Sequence, residues 1–212
     1  MKKIVLLCFL MTCVISLHGQ DVKSLFINIP DSLSPLLTKV NREDFADFLE
    51  SKMKAQVKNK MDKMSEMKVL TKDYLFLQIT SQSSFQMKLL QLNDTAKIIC
   101  VVNTVCGSVC DSRIFFYTPG WKELSLKDYI DMPGMESFFL TPNPNKLEEF
   151  NNARTSLDFY LLKADLSKDS NDLTFTFTSP EYLDESSTKA LEPFLKKELS
   201  YVWKDGSYIL KM

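Results

Sequence analysis

Lys97-Ile98-Ile99-Cys100-Val101-Val102, Cys106-Gly107-Ser108-Val109-Cys110 and Arg113-Ile114-Phe115-Phe116-Tyr117 follow one another in the middle of the chain. Two runs rich in β-branched and aromatic residues flank a short loop that contains glycine. That pattern predicts a β-hairpin. Cys106 and Cys110 stand at its mouth. In an oxidising compartment the two can join as a disulfide; the alternative is a pair of reduced thiols at a turn. A ring this small closes little loop entropy, so a bridge there would stabilise only at the low end of the usual range. Cys100, inside the apolar run, reads as a small buried hydrophobe. C-x-x-x-C without a histidine is a poor match to a zinc site.

The hairpin has strand-like neighbours on its N-terminal side, at Lys68–Thr71, Tyr74–Thr80 and Ser84–Leu92. In the second of these, Tyr74, Phe76, Gln78 and Thr80 share one face, and Leu75, Leu77 and Ile79 share the other. Asn93-Asp94 is a turn signal before the strand Lys97–Val105, and Ser112–Thr118 closes the series. Short turns between strands imply antiparallel neighbours. Upstream, Pro30–Leu37 reads as a short helical turn. Asn41 reads as the N-cap of a stronger helix, with Glu43 and Asp44 in its first turn. Phe45, Phe48, Leu49, Met53 and Val57 would form its apolar face, and the helix would fade between Lys58 and Met64.

Downstream, Pro119 to Pro144 is broken by Pro-Gly turns and isolated prolines. Leu126–Ile130 fits a single helical turn and Lys146–Asn152 a short helix. Leu157–Leu162 and Leu173–Thr178 read as strands. Ser187–Leu199 reads as a helix that Pro193 kinks or delimits. Tyr201-Val202-Trp203 and Tyr208-Ile209-Leu210 around Asp205-Gly206 form a last hairpin. The order predicts an α+β fold: antiparallel sheet with helices packed on it, a mostly β N-terminal part and a shorter β/α C-terminal part. One domain over residues 20–212 is expected, with 119–145 the place where a sub-domain division would fall.

The N-terminus carries Lys2 and Lys3, an apolar run from Ile4 to Ile15 and a small residue at Gly19. This reads as a signal peptide over 1–19. In the alternative, Leu10-Met11-Thr12-Cys13 is a lipoprotein signal with Cys13 the lipidated residue, although Thr12 departs from the usual small residue. Cleavage near Gly19 would remove His18, the only histidine, and with it all imidazole chemistry. It would also remove two lysines and no acid, taking the formal charge from -1 to about -3. That balance leaves no basic footprint for nucleic acid. Hydrophobic residues at 45% support a packed core. Neither dinucleotide nor phosphate-binding glycine loops occur, and no cofactor is implied.

The N-terminal signal, the segment from Pro30 through Asn41-Arg42 to Leu49, and the stretch Thr104-Val105-Cys106-Gly107, Asp111-Ser112-Arg113, Phe116-Tyr117 and Trp121 together resemble a family of exported Bacteroidales proteins of unknown function. The resemblance covers nearly the whole chain after the signal. It implies an envelope location and no catalytic residues. Ser108 and Cys110 depart from the family pattern, which has a proline after Gly107 and often lacks the second cysteine.

Several features can carry function. Lys52 to Lys68 alternates lysines with Met53, Met61, Met64 and Met67, which suits an anionic lipid or partner, or simply a solvated helix end with its methionines on the core side. Asp111-Ser112-Arg113 can orient a ligand carboxylate or pin a turn. Trp121, Tyr129, Phe138 and Phe139 can form a contact surface with Arg113, or anchor the irregular stretch to the core. The acid pairs Asp44/Asp47 and Glu148/Glu149 are ordinary surface acids, and Asp169, Asn171 and Asp172 lack the rest of a calcium loop. The absences favour a non-enzymatic exported domain that binds an envelope protein or a small ligand, at a membrane only if lipidated at Cys13. The alternative is a carboxylate-dependent hydrolase acting on envelope or dietary glycans, chemistry that needs no histidine.

Overall fold

The computed structural model describes residues 21–211. The signal-peptide reading, Cys8, Cys13 and His18 lie outside them. The alternation read in Tyr74–Thr80 explains the architecture. Tyr74 and Phe76 face one core while Leu75, Leu77 and Ile79 face a second, so this strand is covered on both sides. It is β3 of a seven-stranded antiparallel meander: β1 (Gln56–Lys58), β2 (Met64–Leu70), β3 (Tyr74–Thr80), β4 (Ser83–Gln91), β5 (Lys97–Cys106), β6 (Cys110–Tyr117) and β7 (Glu123–Leu124). Against one face pack α1 (Val22–Ile27) and α2 (Lys39–Glu50); against the other packs a four-stranded sheet of β8 (Leu162–Leu166), β9 (Asp172–Phe177), β10 (Glu198–Lys204) and β11 (Ser207–Leu210). The order helix, sheet, sheet makes the large sheet the middle layer of an α+β fold. Central β4 and β5 therefore read as continuous buried runs rather than simple alternation.

A smaller cluster lies to one side, where α3 (Leu147–Arg154) and α4 (Glu185–Leu191) bury Phe139, Phe150, Leu191 and Phe194. The stretch between the sheets is not free-running. Ile130 and Phe138 sit in the inter-sheet core, and short 3-10 turns occupy Leu126–Asp128 and Met135–Phe138.

Several boundaries differ from the sequence reading; β2, for one, runs from Met64 to Leu70 rather than over Lys68–Thr71. The first long helix starts at Lys39 because Thr38, not Asn41, is the N-cap: Asn41 N–H donates to Thr38 Oγ1 and Thr38 N–H to Asn41 Oδ1. It stops at Glu50 because Lys52 takes a left-handed φ of 56° and Met53 N–H reaches back to Phe48 O. Met53 and Val57 thus leave the helix, and most of the lysine- and methionine-rich stretch belongs to the hairpin of β1 and β2 over 56–70. Leu157–Leu161 carries no strand; β8 begins at Leu162. Residues 187–199 are not one helix, since α4 ends at Leu191, Pro193 lies in a 3-10 turn and β10 starts at Glu198. Helix α1 had no counterpart in the sequence reading.

Two buried cations brace these layers. Arg42 on α2 is only 2% exposed. It donates to Ile27 O (3.1 Å), Ile29 O (2.8 Å), Leu37 O (2.9 Å) and Asp31 Oδ1 (3.1 Å), stapling the Asn28–Leu37 loop to the helix. Replacing it with methionine strands three carbonyls, and Arg42→Met should lower stability by about 3 kcal/mol in urea denaturation. Lys88, also 2% exposed, projects into the inter-sheet layer and pairs with half-exposed Asp73 at 2.9 Å. Burial alone would raise the Asp73 pKa, but the hydrogen bond and charge of Lys88 outweigh it and hold the carboxyl below its ordinary value. Asp73 therefore contributes stability that is complete above its unfolded pKa of about 4 and is lost as pH falls through the lower folded value. Asp73→Asn should cost about 2 kcal/mol at pH 7, discounted for its exposure, and should flatten the acid limb of a stability-versus-pH curve.

Candidate functional site

The Asn28–Leu37 loop held by Arg42 roofs a cleft of about 250 Å³ at one end of the central sheet. Its floor is Phe26, Leu77, Ile79 and Phe85, from α1, β3 and β4, with Ile29 at the start of the loop beside them. Its roof is Leu33, Pro35, Leu36 and Leu37, and its far wall is Asn103, Thr104 and Val105 of β5. Leu33 and Val105 are exposed, so apolar surface continues outward from the cleft. A shallower hollow adjoins it, sharing Leu36, Ser83 and Val105 and adding Met61, Lys63 and Met64.

That second hollow is made by the methionine- and lysine-rich stretch. Buried Asn59 shapes the β1–β2 turn. Its side chain accepts from Met61 N and Lys63 N and donates to Ser65 Oγ and Ile79 O. Asp62 completes the turn with φ 58°. Lys60 N–H donates to Leu36 O at 3.0 Å, tying this turn to the roof loop. Met53, Met61 and Met64 face solvent and only Met67 is buried, so the expectation that the methionines lie on the core side holds for Met67 alone. The turn was visible in Asn59 and Asp62, but the three- and four-residue apolar spacing upstream concealed it.

The five residues read as one contact surface are dispersed. Arg113 on β6 is exposed and lies opposite Asn103, on the helix-side face and beside the cleft. Trp121 is half-buried against Tyr117 in a turn, with a positive φ of 62°. Tyr129 packs between Phe116 and Trp203. Phe138 is fully buried beside Phe177, and Phe139 is buried beside Phe150. Tyr129, Phe138 and Phe139 anchor the irregular stretch to the core; the two phenylalanines are buried, and Tyr129 is half-buried. Asp111 and Ser112 do not pin their own turn. Their side chains accept from Leu162 N and Ala164 N of β8, more than fifty residues away in sequence.

Cys106 and Cys110 are joined by a disulfide across the tip of the β5–β6 hairpin. Cys106 N–H donates to Gln82 O, and the Thr178 hydroxyl donates to Cys110 O, so the tip touches both the β3–β4 turn and the end of β9. Cys100 is buried and free, its thiol pKa pushed well up by burial. With only four residues of separation the bridge should contribute roughly 2 kcal/mol or less. Reduction, or Cys106→Ser, should give a small drop in melting temperature by calorimetry and leave the far-ultraviolet circular dichroism unchanged.

A solved structure of a domain of an uncharacterized protein from Porphyromonas gingivalis W83 superposes with a TM-score of 0.79 at 26% identity, covering 90% of this chain and 97% of that one. No curated protein matches. A family model described as "Protein of unknown function (DUF3256)" matches residues 14–208. That match spans both sheets, the roof loop and the cleft, and the chain belongs to the DUF3256 family of proteins of unknown function.

Proposed function

We propose that this protein is a non-enzymatic binding domain whose cleft takes a small apolar ligand. One observation carries the reading: the lining of the cleft contains no charged side chain, while its floor is aliphatic and aromatic and its mouth is edged by exposed Leu33 and Val105. A concave, mostly apolar site with a few polar groups at one wall is the usual form of a small-molecule pocket. Here Ser83 and Asn103 supply those groups. Exported location is part of the proposal. It rests on the N-terminal lysines and apolar run, and the Cys106–Cys110 bridge supports an oxidising compartment.

A glycan-acting hydrolase has less support. It needs two carboxyl groups facing each other across a concave site. No acid lines the cleft. Glu181, Glu192 and Glu198 do line a separate hollow beside α4, but all three are exposed, with no burial to set one apart as a proton donor.

The test is titration with the neutral fluorescent probe N-phenyl-1-naphthylamine. The wild-type protein should enhance its emission saturably. Leu33→Asp puts a charge at the mouth, at a position exposed enough to leave folding intact, and should weaken probe affinity at least about fivefold with melting temperature unchanged. Equal affinity in the variant would remove the cleft as the site.

A further inference from the structure

We propose, resting on the cleft reading above, that the ligand is a single-chain amphiphile with an anionic head, a long-chain carboxylate, whose head is held by Arg113. The charges around the cleft carry the argument. Among the described residues, the only charged side chain lining either adjoining hollow is a cation, Lys63. On the opposite side, Arg113 stands in register with Asn103, which lines the cleft. Directly opposite residues of an antiparallel pair share a face, with Cβ atoms about 5 Å apart. The face is fixed by neighbours: Val101 on β5, Phe115 and Tyr117 on β6 all pack toward the helix-side core. Arg113 is therefore on the cleft's side of the sheet.

Neither cation is neutralised. Among the described residues no carboxylate comes within ion-pair distance of Arg113 or Lys63. Asp111, two residues from Arg113, spends its Oδ1 on Leu162 N–H. Asp62, next to Lys63, pairs with Lys58 at 2.9 Å. A guanidinium with its fork free beside an apolar slot matches a planar carboxylate on an alkyl chain. The cleft volume of about 250 Å³ lies below the usual range for drug-sized ligands, which suits one chain rather than a two-chain lipid.

Dodecanoate and dodecanol have the same chain and differ in the head, so calorimetric titration with each isolates the charge. Wild-type protein should bind dodecanoate about tenfold more tightly than dodecanol. Arg113→Gln, at an exposed position, should bring the two within about twofold by weakening dodecanoate alone. Equal affinities in the wild type would overturn the anionic-head inference and leave the apolar cleft standing. A tenfold preference that survives Arg113→Gln would overturn the role of Arg113. No binding of either compound would overturn the cleft reading itself. Tight retention on phosphatidylglycerol vesicles without dodecanoate binding would assign the cations to a membrane surface and also overturn it.

Discussion

The two sheets are held in register by side chains of one that complete the backbone of the other. Strand β8 pairs only with β9, so the N–H groups of Leu162, Ala164 and Leu166 point away from its partner at an open edge. Asp111 Oδ1, Ser112 Oγ and Gln86 Oε1 accept those three protons in turn. The spacing of two residues on β8 is met by acceptors drawn from β6 and β4. Gln86 also accepts from Tyr74 and donates to Asp165, which makes one connected polar seam beside an otherwise apolar interface. Burial and the nearby Asp165 push the Tyr74 hydroxyl pKa up to about 12, so it stays a neutral donor there. A buried donor left unmade costs about 1–3 kcal/mol, so the seam fixes where the second sheet can sit more sharply than apolar packing alone. It also closes an edge that would otherwise invite pairing with another chain.

The opposite face depends on a different device. Helix α2 contributes Phe45, Phe48 and Leu49 to the helix-side core. Arg42 adds order by gathering the Ile27 carbonyl at the end of α1 and the Ile29 and Leu37 carbonyls of the roof loop. Because that loop is the lid of the cleft, the arginine connects stability to the candidate site. Asn59 does the same for the second hollow from the other side, and the Lys60 to Leu36 hydrogen bond joins the two. The two hollows are thus framed by two buried polar side chains, neither of which lines them.

Much of the fold was legible in local sequence. Strands β3 to β6, the hairpin at Cys106–Cys110 and the Asp205-Gly206 hairpin follow from alternation and turn residues within ten or so positions. Local rules failed where a residue did something its type does not advertise. Lys52 ends a helix in a conformation usually given to glycine, and Asn41 reads as a cap but acts as the third residue of the capping box. The site was legible only in fragments. Arg113 and the methionine-rich stretch stood out, while Phe138 and Phe139 drew attention through being aromatic on a long loop, and both proved to be core.

The sequence by itself determined the strand-rich order, the hairpin turns and the two-faced pattern of β3, because those depend on side-chain periodicity along a few residues. Tertiary structure decided which apolar residues face a cleft rather than a core. It decided that Asp111 and Ser112 serve a strand more than fifty residues away, and that Arg113 comes to stand beside Asn103 at the cleft. The reason is physical. Register across a sheet and packing between layers bring together groups that no local pattern relates, and exposure is a property of what the rest of the chain covers.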